Sequence, residues 1–133
     1  MNRLVLASVS TILIAFSCSG WSQASVQLSP MIVRQSAVAS PMPQYPTSSI
    51  QSHHQGVAVA EIQISVSGTP SNVSILQAPD EAIANSLATA LGAWRFRKYV
   101  GDPKVLQLRT RLIFYFTLEN NVPNVIDAQR SQF

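Results

Sequence analysis

Leu91-Gly92-Ala93-Trp94-Arg95-Phe96 is the stretch on which the fold turns. Upstream, Ile83, Leu87, Leu91 and Trp94 recur at spacings of four, four and three, which places them on one stripe of a helix. Pro79-Asp80 opens that helix, with Asp80 as N-cap. Ala84, Ala88 and Ala90 keep the edges of the stripe slim enough to lie on a sheet, and Arg95 places a cation at the helix exit, where the dipole favours it. Trp94 completes the stripe and is read as core rather than as a binding aromatic. Downstream, Gly101-Asp102-Pro103 makes a turn, and Val105 to Leu118 alternates as a strand. One face of it carries Leu106, Leu108, Thr110, Leu112, Phe114, Phe116 and Leu118; the other shows Gln107, Arg109, Arg111, Ile113 and Tyr115.

Working back from the helix, Val57 to Val66 alternates too, with Ala58, Ala60, Ile62, Ile64 and Val66 on the core face. Ser67-Gly68-Thr69-Pro70 signals a turn, and Asn72 to Gln77 forms a second strand with Val73 and Ile75 inward. So short a connection predicts an antiparallel hairpin. Pro46 suits a first helical position, which predicts a short helix or turn over Thr47 to Ser52 that packs Ile50. The order strand, strand, helix, strand with a right-handed crossover predicts an α+β two-layer sandwich. Its sheet has three antiparallel strands in the order 2-1-3, and one main helix covers one face. The third strand is then an edge, long and rich in unpaired backbone groups, and such an edge invites another strand.

The chain opens like a secretory signal: Arg3, an apolar run from Leu4 to Phe16, then Ser22-Gln23-Ala24 as a small-x-small cleavage site. That divides the chain into 1–24, a cleaved signal; 25–43, an extended and mobile Pro/Ser/Gln linker; 44–119, the domain; and 120–133, a polar, frayed tail to which Val122, Val125 and Ile126 could add docking contacts. Two alternatives stay open: an uncleaved inner-membrane anchor, and lipidation at Cys18, the chain's single cysteine. With cleavage the mature chain has no cysteine and must fold in an oxidising compartment without a disulfide. Nine basic residues against six acidic give the chain a net charge of +3, too mild for a nucleic-acid binder on charge alone. The cations between Arg95 and Arg111 read first as a solvated sheet face, second as a surface for an acidic partner.

No enzyme emerges from the residues. The acids Glu61, Asp80, Glu81, Asp102, Glu119 and Asp127 are scattered among turns and caps, so no carboxylate pair is poised for acid–base chemistry. His53-His54 point apart in either a helix or a strand and lack neighbouring ligands, so no metal and no cofactor is expected.

The ordered set of motifs resembles the C-terminal domain of the TonB family, over Pro43 to about Glu119. It comprises Tyr45-Pro46, Gly56, Gly68, Asn72-Val73, Trp94-Arg95-Phe96, and Gly101 and Pro103 before the last strand. The resemblance implies a periplasmic module that takes up a peptide of outer-membrane receptors as an added strand, at the edge formed by Leu106 through Leu118. Three features depart from the family pattern. Ser8 and Ser10 have no histidine four residues on, Pro70 follows the hairpin turn, and Lys98 stands where proline is common. The first of these puts coupling to an inner-membrane proton channel in doubt. A structural envelope protein that self-pairs into a homodimer through the same edge, or contacts the cell wall, is the competing expectation.

Overall fold

The computed structural model describes residues 25–130; the predicted signal and Cys18 lie outside the described residues. The main sheet has five strands where three were expected; three of them, β3 (Gly56–Ser65), β4 (Pro70–Gln77) and β6 (Gln107–Glu119), are the expected ones, with β3 between the other two. This is the 2-1-3 order expected for these segments. β3 pairs antiparallel with β4 and, through ten consecutive partners from Gly56↔Phe116 to Ser65↔Gln107, with β6. Helix α3 (Glu81–Gly92) packs on one face of this sheet.

The core follows the two periodicities. Ala58, Ala60, Ile62 and Ile64 from β3 meet Ile83, Leu87, Leu91 and Trp94 from the helix stripe, and Leu108, Leu112, Phe114 and Phe116 from β6 close the layer. Burial of apolar area on this scale is the main stabilising term, at about 25 cal/mol per Å². Thr110 takes the one polar position on the buried face of β6. At the hairpin, Gly68 has φ +94°, and a Cβ there would collide with the carbonyl oxygen of Phe96, so only glycine fits. Phe96 N–H in turn donates to the Gly68 carbonyl at 2.9 Å, locking the hairpin to the helix exit.

Asp80 caps α3 as expected, its Oδ1 accepting from Ile83 N–H at 2.7 Å. It also gathers its neighbours. Ser49 Oγ donates to Asp80 Oδ2 at 2.6 Å, and His54 Nδ1 lies 2.8 Å from the same oxygen. Burial pushes the Asp80 carboxyl up, but the bonds from Ser49, the Ile83 amide and His54 outweigh it and hold the group below the usual carboxylate range. Pro46 is the N-cap of α2 (Thr47–Gln51) rather than its first residue, and the helix buries Ser49, not Ile50, because its inward position is used for the bond to Asp80. Tyr45 sets its ring edge-on to Phe116 at 5.3 Å and donates its hydroxyl to the His54 carbonyl.

Both ends of the domain differ from the sequence reading. Residues 25–39, expected as a mobile linker, form β1 (Ser25–Gln27), α1 (Pro30–Ser36) and β2 (Ala37–Ala39). β2 pairs with the two-residue β5 (Arg95–Phe96), and Val33 of α1 is buried in the core. The expected frayed tail instead forms β7 (Val122–Asp127), paired antiparallel with β6. The turn into β7 has Asn120 and Asn121 at φ 51° and 63°, the paired positive angles of a two-residue hairpin loop.

Candidate functional site

The residues expected to form a partner-binding edge make up one strand, with one exception. Gln107 to Phe116 lie in β6, whereas Leu106 precedes it and is 56% exposed, so it is not a core residue. The turn at Asp102, where Val105 N–H bonds to the Asp102 carbonyl, sends Val105 into the core instead. Within β6 the alternation is as read: Leu108, Thr110, Leu112, Phe114 and Phe116 are buried, and Gln107, Arg109, Arg111, Ile113 and Tyr115 face away from α3. On that open face Glu61 of β3 lies 3.7 Å from Arg109 Nε and 3.4 Å from Arg111 Nε. Glu61 is half-buried between them, and at these separations the pairs are loose, with Arg109 Nε buried and making no hydrogen bond. Tyr115 has β3 Val57 and β7 Ile126 as cross-strand neighbours, giving a row of partly exposed apolar side chains.

The edge itself is not open along its length, which corrects the topological expectation. β3 occupies one side of β6 from Gln107 to Phe116. β1 and β7 must therefore share the other side, since they pair with residues already bonded to β3. β1 runs parallel to β6 with Ser25↔Gln107, Val26↔Leu108 and Gln27↔Arg109, and Leu28 N–H continues to the Arg109 carbonyl at 2.8 Å. β7 covers Phe114 to Glu119. Between them, the Ile113 carbonyl accepts from Ala128 N–H at 3.1 Å, and the Gln129 carboxamide oxygen, in the orientation that satisfies its neighbours, accepts from Ile113 N–H at 3.0 Å. Among the described residues, the stretch of β6 from Thr110 to Ile113 has no strand beside it on this side, and Ile113 is met there by Ala128 and Gln129 instead. The topology omitted these additions because three residues of β1 carry no readable period. The Asn120-Asn121 pair was the one signal that could have revealed β7.

The family-motif residues act as structural fixtures. Tyr45 and Pro46 anchor the segment before β3, Gly68 makes the close approach to Phe96, and Val73 packs against the core. Trp94 is fully buried, and its Nε1–H donates to the Pro41 carbonyl at 2.9 Å. Arg95 Nη1 donates to the carbonyls of Gly92 and Trp94, completing the helix C-terminus. His54 is committed to Asp80, as described, and His53 sits at φ 54° in the turn beyond α2. A groove of about 590 Å³ beside α3, between Met42, Tyr45, Ala82 and Ala90, has no charged side chain in its lining. It offers shape without reactive groups.

A family model described as the Gram-negative bacterial TonB protein C-terminal matches residues 41–118. Among solved structures, the solution NMR structure of the Pseudomonas aeruginosa TonB CTD is similar to this chain with a TM-score of 0.51 and 21% sequence identity, covering 62% of this chain and 85% of that one. At that identity the likeness is one of fold. No curated protein sequence matches the chain.

Proposed function

The chain belongs to the family of Gram-negative bacterial TonB C-terminal domains, and from that premise we propose that it is a periplasmic, non-enzymatic module that takes up peptide segments of outer-membrane receptors as an added strand on β6, contributing to TonB-dependent transport. One observation supports this above the others: the outer edge of β6 accepts strands in both directions, parallel from β1 and antiparallel from β7. An edge that pairs with segments from both ends of the chain has the backbone geometry to pair with a third. The side chains on the face away from α3, half-buried Arg109 and Ile113 and exposed Arg111 and Tyr115, would set which peptide sequences fit. Export by a signal cleaved after Ala24 goes with this reading; among the described residues no helix is long and apolar enough to cross a membrane.

Titration of the isotope-labelled domain with receptor-derived peptides tests it. Amide shifts along Gln107 to Ile113 support capture at β6. Shifts confined to β4, or none, refute it. Self-pairing is the second reading, and the observation that favours it is β4, which ends the sheet with Leu76 half-exposed and no strand on its outer side among the described residues. Sedimentation showing a concentration-dependent dimer that peptide leaves intact would select that reading.

A further inference from the structure

β1 lies on the part of β6 where an incoming strand would have to pair, and more than its own short ladder holds it there. Beyond the Leu28–Arg109 bond, Thr110 Oγ1 donates to the Leu28 carbonyl at 3.0 Å. α1 follows at once, and from it Arg34 reaches the last residue of β7, its Nε 2.8 Å from Asp127 Oδ2. The Asp127 side chain is 1% exposed, and the Arg34 guanidinium also lies over the Trp94 ring, 5.4 Å from its centroid. Asp127 Oδ1 accepts from the backbone N–H of Gln129, whose side chain seals Ile113. A single buried ion pair thus joins the two segments that cover the edge. Both segments, 25–40 and 119–130, lie outside the residues that carry the family match.

We propose that residues 25–36 form an autoinhibitory strap, a built-in strand that occupies the accepting edge of β6, with Arg34–Asp127 as its clasp, and that a strand added in trans binds only when the strap leaves. The proposal rests on the reading of β6 as a strand-accepting edge. The strap suits release because its strand pairing is only three residues long, at the short end for a strand, so Val33 in the core and the clasp supply the rest of its hold. As part of the same chain it competes at a high effective concentration, so the apparent affinity for any external strand falls by the fraction of molecules with the strap open. The clasp is sensitive to loss of either partner, because an unpaired buried charge is strongly unfavourable.

The test uses the chain from Ser25 with two variants. Leu28→Pro removes the N–H that bonds to the Arg109 carbonyl. Arg34→Met keeps an apolar stem on Trp94 and removes the charge. The probes are a labelled peptide of the strap's own sequence, Ser-Val-Gln-Leu-Ser, and a receptor-derived peptide, both followed by fluorescence anisotropy. Each variant should bind the strap peptide at least about ten-fold more tightly than the unaltered chain, and the receptor peptide in the same direction. Equal binding by all three chains overturns the strap, even where receptor peptide binds well. Gain for the strap peptide with no binding of receptor peptide to any chain upholds the strap and refutes the receptor reading instead. Should either variant fail to fold, hydrogen exchange on the unaltered chain decides. Exchange at Leu28 about a hundred-fold faster than at Ile62 supports independent opening, and equal rates overturn it.

Discussion

Replacing Trp94 with alanine probes the joint on which the domain and its N-terminal arm both depend. The side chain is 0% exposed, sits edge-on to Phe114 at 6.2 Å and tilted to Phe96 at 6.1 Å, and bonds to the Pro41 carbonyl. Emptying a large aromatic site costs about 3–5 kcal/mol. Loss of the Arg34 cation–π contact and of the donor to Pro41 places the total at the upper end, about 5 kcal/mol. With a urea m-value of about 1.5 kcal/mol per M, the unfolding midpoint should drop by about 3 M. Since a small domain has about 5–15 kcal/mol in all, the variant should be at the margin of folding. Trp94→Phe separates the two contributions. It keeps an aromatic ring and loses the Nε1–H, so its midpoint should fall by about 1 M. Far-ultraviolet circular dichroism follows both without relying on tryptophan fluorescence. An alanine variant within about 0.5 M of the unaltered protein would refute the placement of Trp94 and the helix face built on it.

Gly68→Ala should destabilise by about 1–3 kcal/mol, through positive φ and the clash with the Phe96 carbonyl, read as a fall in melting temperature; an unchanged melting temperature would contradict the close approach. Asp80 has a folded pKa below its unfolded value, so the stability it contributes is complete above the unfolded pKa and disappears as pH falls through the folded one. Asp80→Asn should therefore be less stable than the unaltered chain at neutral pH, and the gap should narrow in urea titrations as pH falls below the unfolded carboxyl's pKa of about 3.9; a gap constant with pH would show that the carboxylate's charge plays no part.

What could be read from the sequence was what repeats. The stripe Ile83, Leu87, Leu91, Trp94 and the alternation of β3 and β6 each span enough residues for a period to show, and together they specify two layers and the strand order. The capping role of Asp80 was legible because its chemistry is local. The ends were not. Pro30 falls within the segment 25–43 expected as a linker, yet it stands in the first turn of α1, where proline favours a helix start. β1 is fixed by the edge it docks on rather than by its own residues, and the Arg34–Asp127 pair spans most of the chain, a contact no spacing rule reveals. For the same reason the cover on the outer side of β6 is not legible in the sequence: it consists of short segments whose order comes from tertiary contact. Leu106 failed because alternation was extended past the turn that fixes Val105.

Strand addition on β6 is tested most directly by disulfide trapping. With a single cysteine at Arg111, the outward-facing position between β1 and β7, a receptor-derived peptide carrying cysteines at successive positions should cross-link in one register. Directly opposite residues on paired strands have Cβ atoms about 4.5–5.5 Å apart, and only the closest of these pairs reach the roughly 4.5 Å limit of a disulfide, which makes trapping selective for register. The account predicts efficient trapping at Arg111→Cys for one peptide position and its two-residue neighbours, and little at Ser74→Cys on β4. Trapping at Ser74→Cys alone, or equal and register-independent trapping at both, would contradict it.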